Sequence, residues 1–501
     1  MTAPRVLAID QGTSGTTCLV VGVDGKVHAR AHVEVAVRYP REGWVDQDAE
    51  ELWQSVLNAA AAAIAAAGQP APVAIGITNQ RETLVVFERD GLRPVAPAIV
   101  WQCRRSAALC AAHRERGEEG ALRRRTGLLL DPYFTATKLE WLLAEQPELR
   151  RRAERGELCA GTVDTWLVAR LSGGAALVTD AGNASRTLLY DLERGAFDEE
   201  LCAMFSVPPG LLPEVRDSAG RVAVTDPDSF LRMRLPISGI AGDQQAALFG
   251  QACLTPGMSK NTYGTGSFVL VNTGTTVPEP VHGLLGTVAW RIGGHDTFAL
   301  EGSIFVTGAG LKWLRDGLGL IGAAEEAGPL FDSVPDSNGC LFVPALAGLG
   351  APYWDPAARG ALLGLTAGVS RAHVVRAVVE AMAYRTRDVV EAVEQGAGIQ
   401  LEELRVDGGA SVMDGLCQFQ ADLLGLPVTR AASAETTALG AAMLAAVGEG
   451  LIEMPAGVER AHHPGRRFDP VNPGKRPKAE YQTWRAAVAR IRTNQADPGR
   501  S

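Results

Sequence analysis

Paired cysteines are missing from this chain of 501 residues: Cys18, Cys103, Cys110, Cys159, Cys202, Cys253, Cys340 and Cys417 are scattered, with no C-x-x-C among them. That excludes a disulfide framework and a thiolate metal cluster, and it predicts reduced thiols in the core. Long apolar runs are missing too. None approaches the ~20 residues of a membrane span, and the N-terminus has neither a charged n-region nor an apolar h-region, so the expectation is a cytoplasmic protein without a membrane span. Basic charge is in deficit, with 48 Lys and Arg against 57 Asp and Glu for a net charge of −9. Surfaces that track nucleic acid need concentrated positive charge, so nucleic acid is not expected as a partner. The Arg-rich stretches 123–125 and 150–155 lie in segments of helical composition and read as solvated faces.

What remains is the composition of a fully folding protein, 46% hydrophobic and 21% charged, with 56 Gly spread through turns rather than gathered in tracts. Chains of this length exceed one hydrophobic core and divide into domains of about 250 residues. We place the division at 1–252 and 253–501.

The opening segment carries the first chemistry. Val6 to Ile9 and Cys18 to Val23 read as two buried strands joined through Gly12 and Gly15. Glycines there let backbone N–H groups approach an anion, Thr13, Ser14, Thr16 and Thr17 add hydroxyls, and Asp10 at the strand end suits a hydrated Mg²⁺. A Gly-Thr hairpin is also a plain turn. Lys26 to Val37 follows as a third strand, Asp48 is positioned to cap a helix carrying Leu52, Val56, Ala60 and Ile64, and Pro72 to Thr78 reads as a buried strand. Meander, helix and strand together indicate a mixed α/β sheet.

That last strand delivers Arg81-Glu82 at its carboxyl end, where open α/β sheets place ligand groups. Neighbouring residues in a strand face opposite ways, so both reach one ligand only from a loop. A donor fork beside an acceptor matches vicinal hydroxyls, although a surface ion pair has the same sequence. Trp101 and Tyr133 follow apolar segments and read equally as core aromatics. Further on, Pro236 to Gly250 runs from strand through Gly239 and Gly242 into a helix, with Asp243 at its start as an N-cap or as a base for a substrate hydroxyl. Lys260 to Asn272 then repeats strand, Gly-Thr turn and strand. Two such hairpins clamp a polyphosphate from both sides, which one alone does not do.

Taken together, I-D-Q-G-T at 9–13, G-I-T-N-Q-R-E-T at 76–83, I-V-W-Q-C-R-R at 99–105, D-P-Y-F at 131–134 and S-G-I-A-G-D-Q-Q-A-A-L-F-G-Q from Ser238 resemble the FGGY carbohydrate kinases. So do K-N-T-Y-G-T-G from Lys260, G-L-G-A-P-Y-W-D-P from Gly348 and R-V-D-G-G-A from Arg405, so the likeness covers nearly the whole chain. It is strongest to the members that phosphorylate glycerol. The resemblance implies an α/β fold of two ribonuclease H-like domains flanking a catalytic cleft, as in actin and hexokinase. It also implies transfer of phosphate from ATP to the 3-hydroxyl of glycerol with Mg²⁺, and a homodimer or homotetramer.

Residue by residue, the resemblance puts Arg81, Glu82, Tyr133, Asp243 and Gln244 at the glycerol hydroxyls and Trp101 and Phe268 against its carbons. Asp243 is the implied general base, and Asp10 and Asp243 are the implied Mg²⁺ residues. Thr13, Ser14, Gly15, Thr17, Gly264 and Thr265 fall on phosphate positions, with Gly308, Lys312, Gly409 and Met413 towards the nucleoside. Three of these depart from the family pattern, which usually has Arg at Thr17, Gln or a similar residue at Lys312 and Asn at Met413. The expected consequence is altered nucleotide affinity. Segment 226–234 lacks the glycine of the loop through which some bacterial members answer fructose 1,6-bisphosphate, so that control is not expected. A kinase of another polyol or sugar, and a non-catalytic actin-like nucleotide-binding protein, are the alternative readings.

Overall fold

The computed structural model of the chain describes residues 3–471 and 475–493. Its main feature is a mixed sheet of 13 strands. In chain order they are β1 Arg5–Gln11, β2 Gly15–Gly22, β3 Val27–Glu34, β4 Ala74–Asn79, β5 Ala219–Val224, β6 Pro236–Gly242, β7 Met258–Tyr263, β8 Ser267–Gly274, β9 Leu285–Ile292, β10 His295–Ile304, β11 Glu403–Asp407, β12 Val428–Ala431 and β13 Pro464–Phe468. Across the sheet the order is β13-β12-β11-β7-β8-β10-β9-β5-β6-β4-β1-β2-β3.

Each half is built the same way. In the first, the antiparallel meander β1-β2-β3 is extended on the β1 side by β4 and β6, both running parallel. In the second, β7, β8 and β10 form the meander, and β11 and β12 extend it in parallel. Parallel strands need covered faces, and β4 and β6 are correspondingly buried along nearly their whole length. Within the sheet, β5 and β9 join the two halves through the pair Ala219 and Ile292.

The helices cover the sheet as the apolar spacing predicts. Ala49–Ala67 is capped by Asp48, whose carboxylate accepts from the Glu50 N–H at 2.8 Å, and it buries Leu52, Val56 and Ala60. Segment 475–491 is helical and seats Tyr481, Trp484 and Val488 in the second-half core. Helix Thr436–Gly448 instead lies over first-half strands, where Ala438, Ala442, Ala445 and Ala446 pack with Val6, Ala8, Leu19 and Val21. Its small residues permit a very close crossing with helix Asp243–Gly250. A methyl on Gly440 would stand 1.8 Å from the Ala246 carbonyl oxygen, so only glycine fits. All eight cysteines are buried and unpaired. Among the described residues no helix is long and apolar enough to cross a membrane.

Candidate functional site

Sheet register builds the site. Gln11, Asn79 and Gly242 are neighbours at the carboxyl ends of β1, β4 and β6, so the segments that follow open at one place. Asp10 precedes that end, residues 80–83 continue from β4, and Asp243 continues from β6. The order is that of parallel α/β sheets, whose strand ends leave a crevice for ligand.

Glu82 adopts φ +59°, a left-handed conformation uncommon outside glycine, and the Thr83 N–H reaches back to the Arg81 carbonyl at 2.7 Å. This sharp turn is what directs two consecutive charged side chains inward. Arg81 and Glu82 are 2% and 1% exposed, which removes the surface ion-pair reading. Their closest charged approach to each other is 3.9 Å, and each is held more tightly by a partner outside the motif. Arg81 places Nη1 at 2.5 Å and Nη2 at 3.1 Å from the two Glu301 carboxylate oxygens, and Nη1 also donates to Gln245 at 3.2 Å. Its Nε stands 3.2 Å from Asp243 Oδ1, and the guanidinium carbon lies 5.8 Å from the Phe268 ring centre. Glu82 accepts from Arg186 Nε at 2.7 Å, and Arg186 Nη2 donates to Glu301 at 3.0 Å.

The electrostatics follow from that arrangement. Burial disfavours the charge on Glu301, but Arg186 and Arg81 outweigh it and bring its pKa down to about 2. Burial raises the pKa of Glu82, opposed by Arg81 and Arg186. Burial likewise works against Arg81, yet Glu301, Glu82 and Asp243 hold it well above its ordinary value. Buried charges persist only when paired and hydrogen-bonded, and here two guanidiniums and two carboxylates alternate.

The aromatics stand beside this fork. Trp101 meets Tyr133 edge to face with ring centres 5.7 Å apart, and its Nε1–H donates to the Thr13 hydroxyl at 2.9 Å. Thr13 in turn donates to Gln80 at 3.2 Å, so the first Gly-Thr loop is tied to the Arg81 segment. Lys138 is fully buried and donates from Nζ to the Glu82 carbonyl at 3.1 Å and to the Tyr133 carbonyl. Burial pulls its pKa down to about 8.

Asp243 is the first residue of its helix. The cap position is Gly242, without a side-chain cap, which corrects the N-cap reading; the Asp243 carboxylate accepts instead from the Gln244 N–H at 2.7 Å. Its side chain is 32% exposed, and the freedom from capping leaves an oxygen for other work. Gln244 is buried and accepts from Lys260, whose Nζ also reaches the Thr262 hydroxyl at 2.9 Å. Asp10 has its pKa pushed up to about 8 by burial and by the nearby carboxylates of Asp243 and Glu435. Among the described residues no group of three or more His, Cys, Asp or Glu gathers closely enough to enclose a metal ion. Asp10 and Asp243 interact electrostatically, and two such carboxylates suit a hard divalent cation that keeps most of its water.

At the first Gly-Thr turn, the Gly12 N–H donates to the Gly15 carbonyl at 2.9 Å and closes the turn. Ser14 is exposed at its tip. Thr17 pairs with Asp10 on one side and with His32 on the other, to whose Nδ1 its hydroxyl is bonded at 2.9 Å. In the second turn the Gly264 carbonyl accepts from the Gly308 N–H and the Thr265 carbonyl from the Thr307 and Ala309 N–H groups, all at 3.0 Å. Gly264, Thr265 and Lys312 are exposed. Gly408, at φ +84°, brings the Gly409 loop against this hairpin: a methyl there would lie 2.4 Å from the Tyr263 carbonyl oxygen. Met413 is 8% exposed and belongs to the second-half core.

Sequence reasoning did not single out Arg186, Glu301, Lys138 or Lys260. The available signal was a lone charge inside an apolar run, as in F-A-L-E-G-S-I around Glu301 and N-A-S-R-T-L-L around Arg186.

Comparison with known proteins agrees with this geometry. Residues 5–250 match the model of the FGGY family of carbohydrate kinases, N-terminal domain, and residues 259–449 match that of the C-terminal domain. The chain is 52% identical over 487 residues to a glycerol kinase of Dechloromonas aromatica, covering 97% of each. It is 48% identical over 487 residues to glycerol kinase 2 of Thermotoga maritima, covering 97% of this chain and 98% of that one. A crystal structure of the Plasmodium falciparum glycerol kinase with ADP superposes with a TM-score of 0.91 at 30% identity over 98% of both chains. A xylulose kinase of Lactobacillus acidophilus shares the fold, with a TM-score of 0.87 at 20% identity over 97% of both chains.

Proposed function

The chain belongs to the FGGY family of carbohydrate kinases, and from that premise we propose that it transfers the γ-phosphoryl group of ATP to the 3-hydroxyl of glycerol, giving sn-glycerol 3-phosphate and ADP. The observation that carries the reading is the buried Arg81–Glu82 fork, with Trp101, Tyr133 and Phe268 around it and the partly free Asp243 carboxylate at its edge. Its full-length relatives of about half identical sequence bear the name glycerol kinase.

A three-carbon triol offers little area, so affinity and selectivity depend on pairing each hydroxyl. Arg81 donates and Glu82 accepts at vicinal hydroxyls, Tyr133, Asp243 and Gln244 complete the polar set, and the rings of Trp101 and Phe268 cover the carbons. An analogue lacking one hydroxyl leaves a buried polar group unsatisfied, which costs about 1–3 kcal/mol. In the reaction the Asp243 carboxylate accepts the proton of the 3-hydroxyl, whose oxygen forms the new bond to the γ-phosphorus as the bond to the ADP oxygen breaks. Asp10 and Asp243 would hold Mg²⁺ largely through water, and the bound ion supplies neutralisation of phosphate charge. Thr13, Ser14, Gly15, Gly264 and Thr265 present their hydroxyls and backbone N–H groups to the phosphates, with Gly308, Lys312 and Gly409 towards the nucleoside; Thr17 is bonded to His32 and Met413 packs in the second-half core, so neither is assigned a contact.

In this reading residues 1–252 form the unit with the polyol site and the first phosphate loop, and 253–501 the unit with the second loop and the adenine site. The enzyme acts in the cytoplasm as a homodimer or homotetramer. Coupled ADP release measured across glycerol, dihydroxyacetone, erythritol and xylulose tests the assignment. Preferred turnover of glycerol is expected, preference for another polyol would reassign the substrate, and no turnover on any would favour a nucleotide-binding protein without catalysis.

A further inference from the structure

Arg81 and Glu82 do not hold one another. Each is fixed by a residue from elsewhere in the chain, Glu301 on β10 of the second half and Arg186 after the short helix Ala181–Ala184. Glu301 accepts two bonds from Arg81 and one from Arg186, and Arg186 reaches from Glu301 to Glu82. The four side chains form a chain of contacts running Arg81, Glu301, Arg186, Glu82, and Arg186 and Glu301 are both 0% exposed. A guanidinium fork bonds two carboxylates at fixed directions because it is planar and its donors do not rotate independently. The separation between the Arg81 donors and the Glu82 acceptor is therefore set by a pair that lies behind them. Arg186 is braced from its other side by the Phe134 ring, 5.4 Å from the guanidinium carbon.

We propose that Arg186 and Glu301 are positioning residues for the polyol site, holding the Arg81–Glu82 fork at the spacing that decides which pattern of hydroxyls is accepted. The proposal rests on the reading of Arg81 and Glu82 as the hydroxyl-binding pair. It gives Glu301 a second consequence: a second-half strand sets the geometry of a first-half substrate site.

The test is steady-state kinetics on the full chain with Arg186→Lys, with Arg186→Gln, and with the charge-balanced double variant Arg186→Gln/Glu301→Gln, each checked for folding by thermal unfolding. Arg81→Gln and Glu82→Gln serve as direct controls. The expected result is a glycerol KM raised at least about tenfold in the Arg186 variants and the double variant, with the ATP KM within about twofold of wild type, and partial recovery in Arg186→Lys relative to Arg186→Gln. Glu82 is faced by Arg81, Arg186, Glu301 and the Tyr133 phenol, with Lys138 on its carbonyl. Loss of Arg186 removes a cation that holds the Glu82 carboxyl down against burial, so the glycerol KM of Arg186→Gln should fall more with rising pH than that of wild type. A glycerol KM unchanged in the folded variants, with the controls impaired, would overturn the positioning role. Equal effects on the glycerol and ATP KM, or failure of the whole set to fold, would overturn it in favour of a purely structural role. Controls that leave the glycerol KM unchanged would instead discard the underlying hydroxyl-binding reading.

Discussion

Asp243→Asn separates the chemistry from the fold. The substitution keeps size and an acceptor oxygen but removes the ability to take a proton at neutral pH. Structurally it touches little. The residue is the first of its helix, capping is left to the Gly242 backbone, and the side chain is 32% exposed. Its ion-pair partner Arg81 keeps two bonds to Glu301 and one to Gln245, so no buried charge is abandoned. A partly solvated ion pair of this kind is worth at most about 1 kcal/mol, which is the expected loss of stability. Removing a general base, by contrast, costs about 10²–10⁴ in rate, or roughly 3–5 kcal/mol of transition-state stabilisation. Coupled ADP release with saturating glycerol and ATP reads the first effect, and thermal unfolding in the same buffer reads the second. The expected pattern is a kcat lowered by at least about a hundredfold with nearly unchanged unfolding. A kcat within about tenfold of wild type would refute Asp243 as the base.

Other expectations follow from neighbouring features. Thr17→Arg places a guanidinium across β1–β2 from Asp10, whose pKa stands at about 8, and should lower the ATP KM; an unchanged KM would discard the idea that Thr17 weakens nucleotide binding. Gly440→Val forces apart the helices at 243–250 and 436–448, where no methyl fits, and should destabilise the protein by about 1–3 kcal/mol in denaturant unfolding. An unchanged midpoint would contradict that packing. The buried thiols of Cys110 and Cys253 are pushed up to about 12 by burial, above their unfolded value near 9. A raised folded pKa means that their stability contribution is whole below about pH 9 and is lost as pH rises through the folded values, so removing either thiol should lessen the alkaline fall in stability. A disulfide-exchange reagent should label none of the eight cysteines in the native protein, and rapid labelling at neutral pH would oppose their burial.

Much of the architecture was legible because it depends on short-range pattern. The strands of both hairpins, the Asp48 cap and the terminal apolar stripe of Tyr481, Trp484 and Val488 all follow from local alternation or helical spacing. The Arg81-Glu82 step was legible as a pair at a strand end, although its burial was not, since a sequence gives no measure of what covers a loop. Arg186 and Glu301 were not legible as members of the site. They lie 104 residues from Glu82 and 220 residues from Arg81, respectively, and only the fold brings them together. Asp243 illustrates another limit: helix onset was read correctly, but whether Gly242 or Asp243 occupies the cap depends on backbone angles that Gly242 adopts at φ −60° and ψ 154°.

The central claim concerns which hydroxyl of which polyol receives the phosphoryl group, and one measurement addresses it directly. The purified protein is incubated with glycerol, ATP and Mg²⁺, and the product is followed by ³¹P NMR and identified with a dehydrogenase specific for sn-glycerol 3-phosphate. The account predicts stoichiometric ADP and sn-glycerol 3-phosphate as a single product, with no inorganic phosphate formed alongside it. ADP with inorganic phosphate in place of the ester, or phosphorylation at another position, would contradict it.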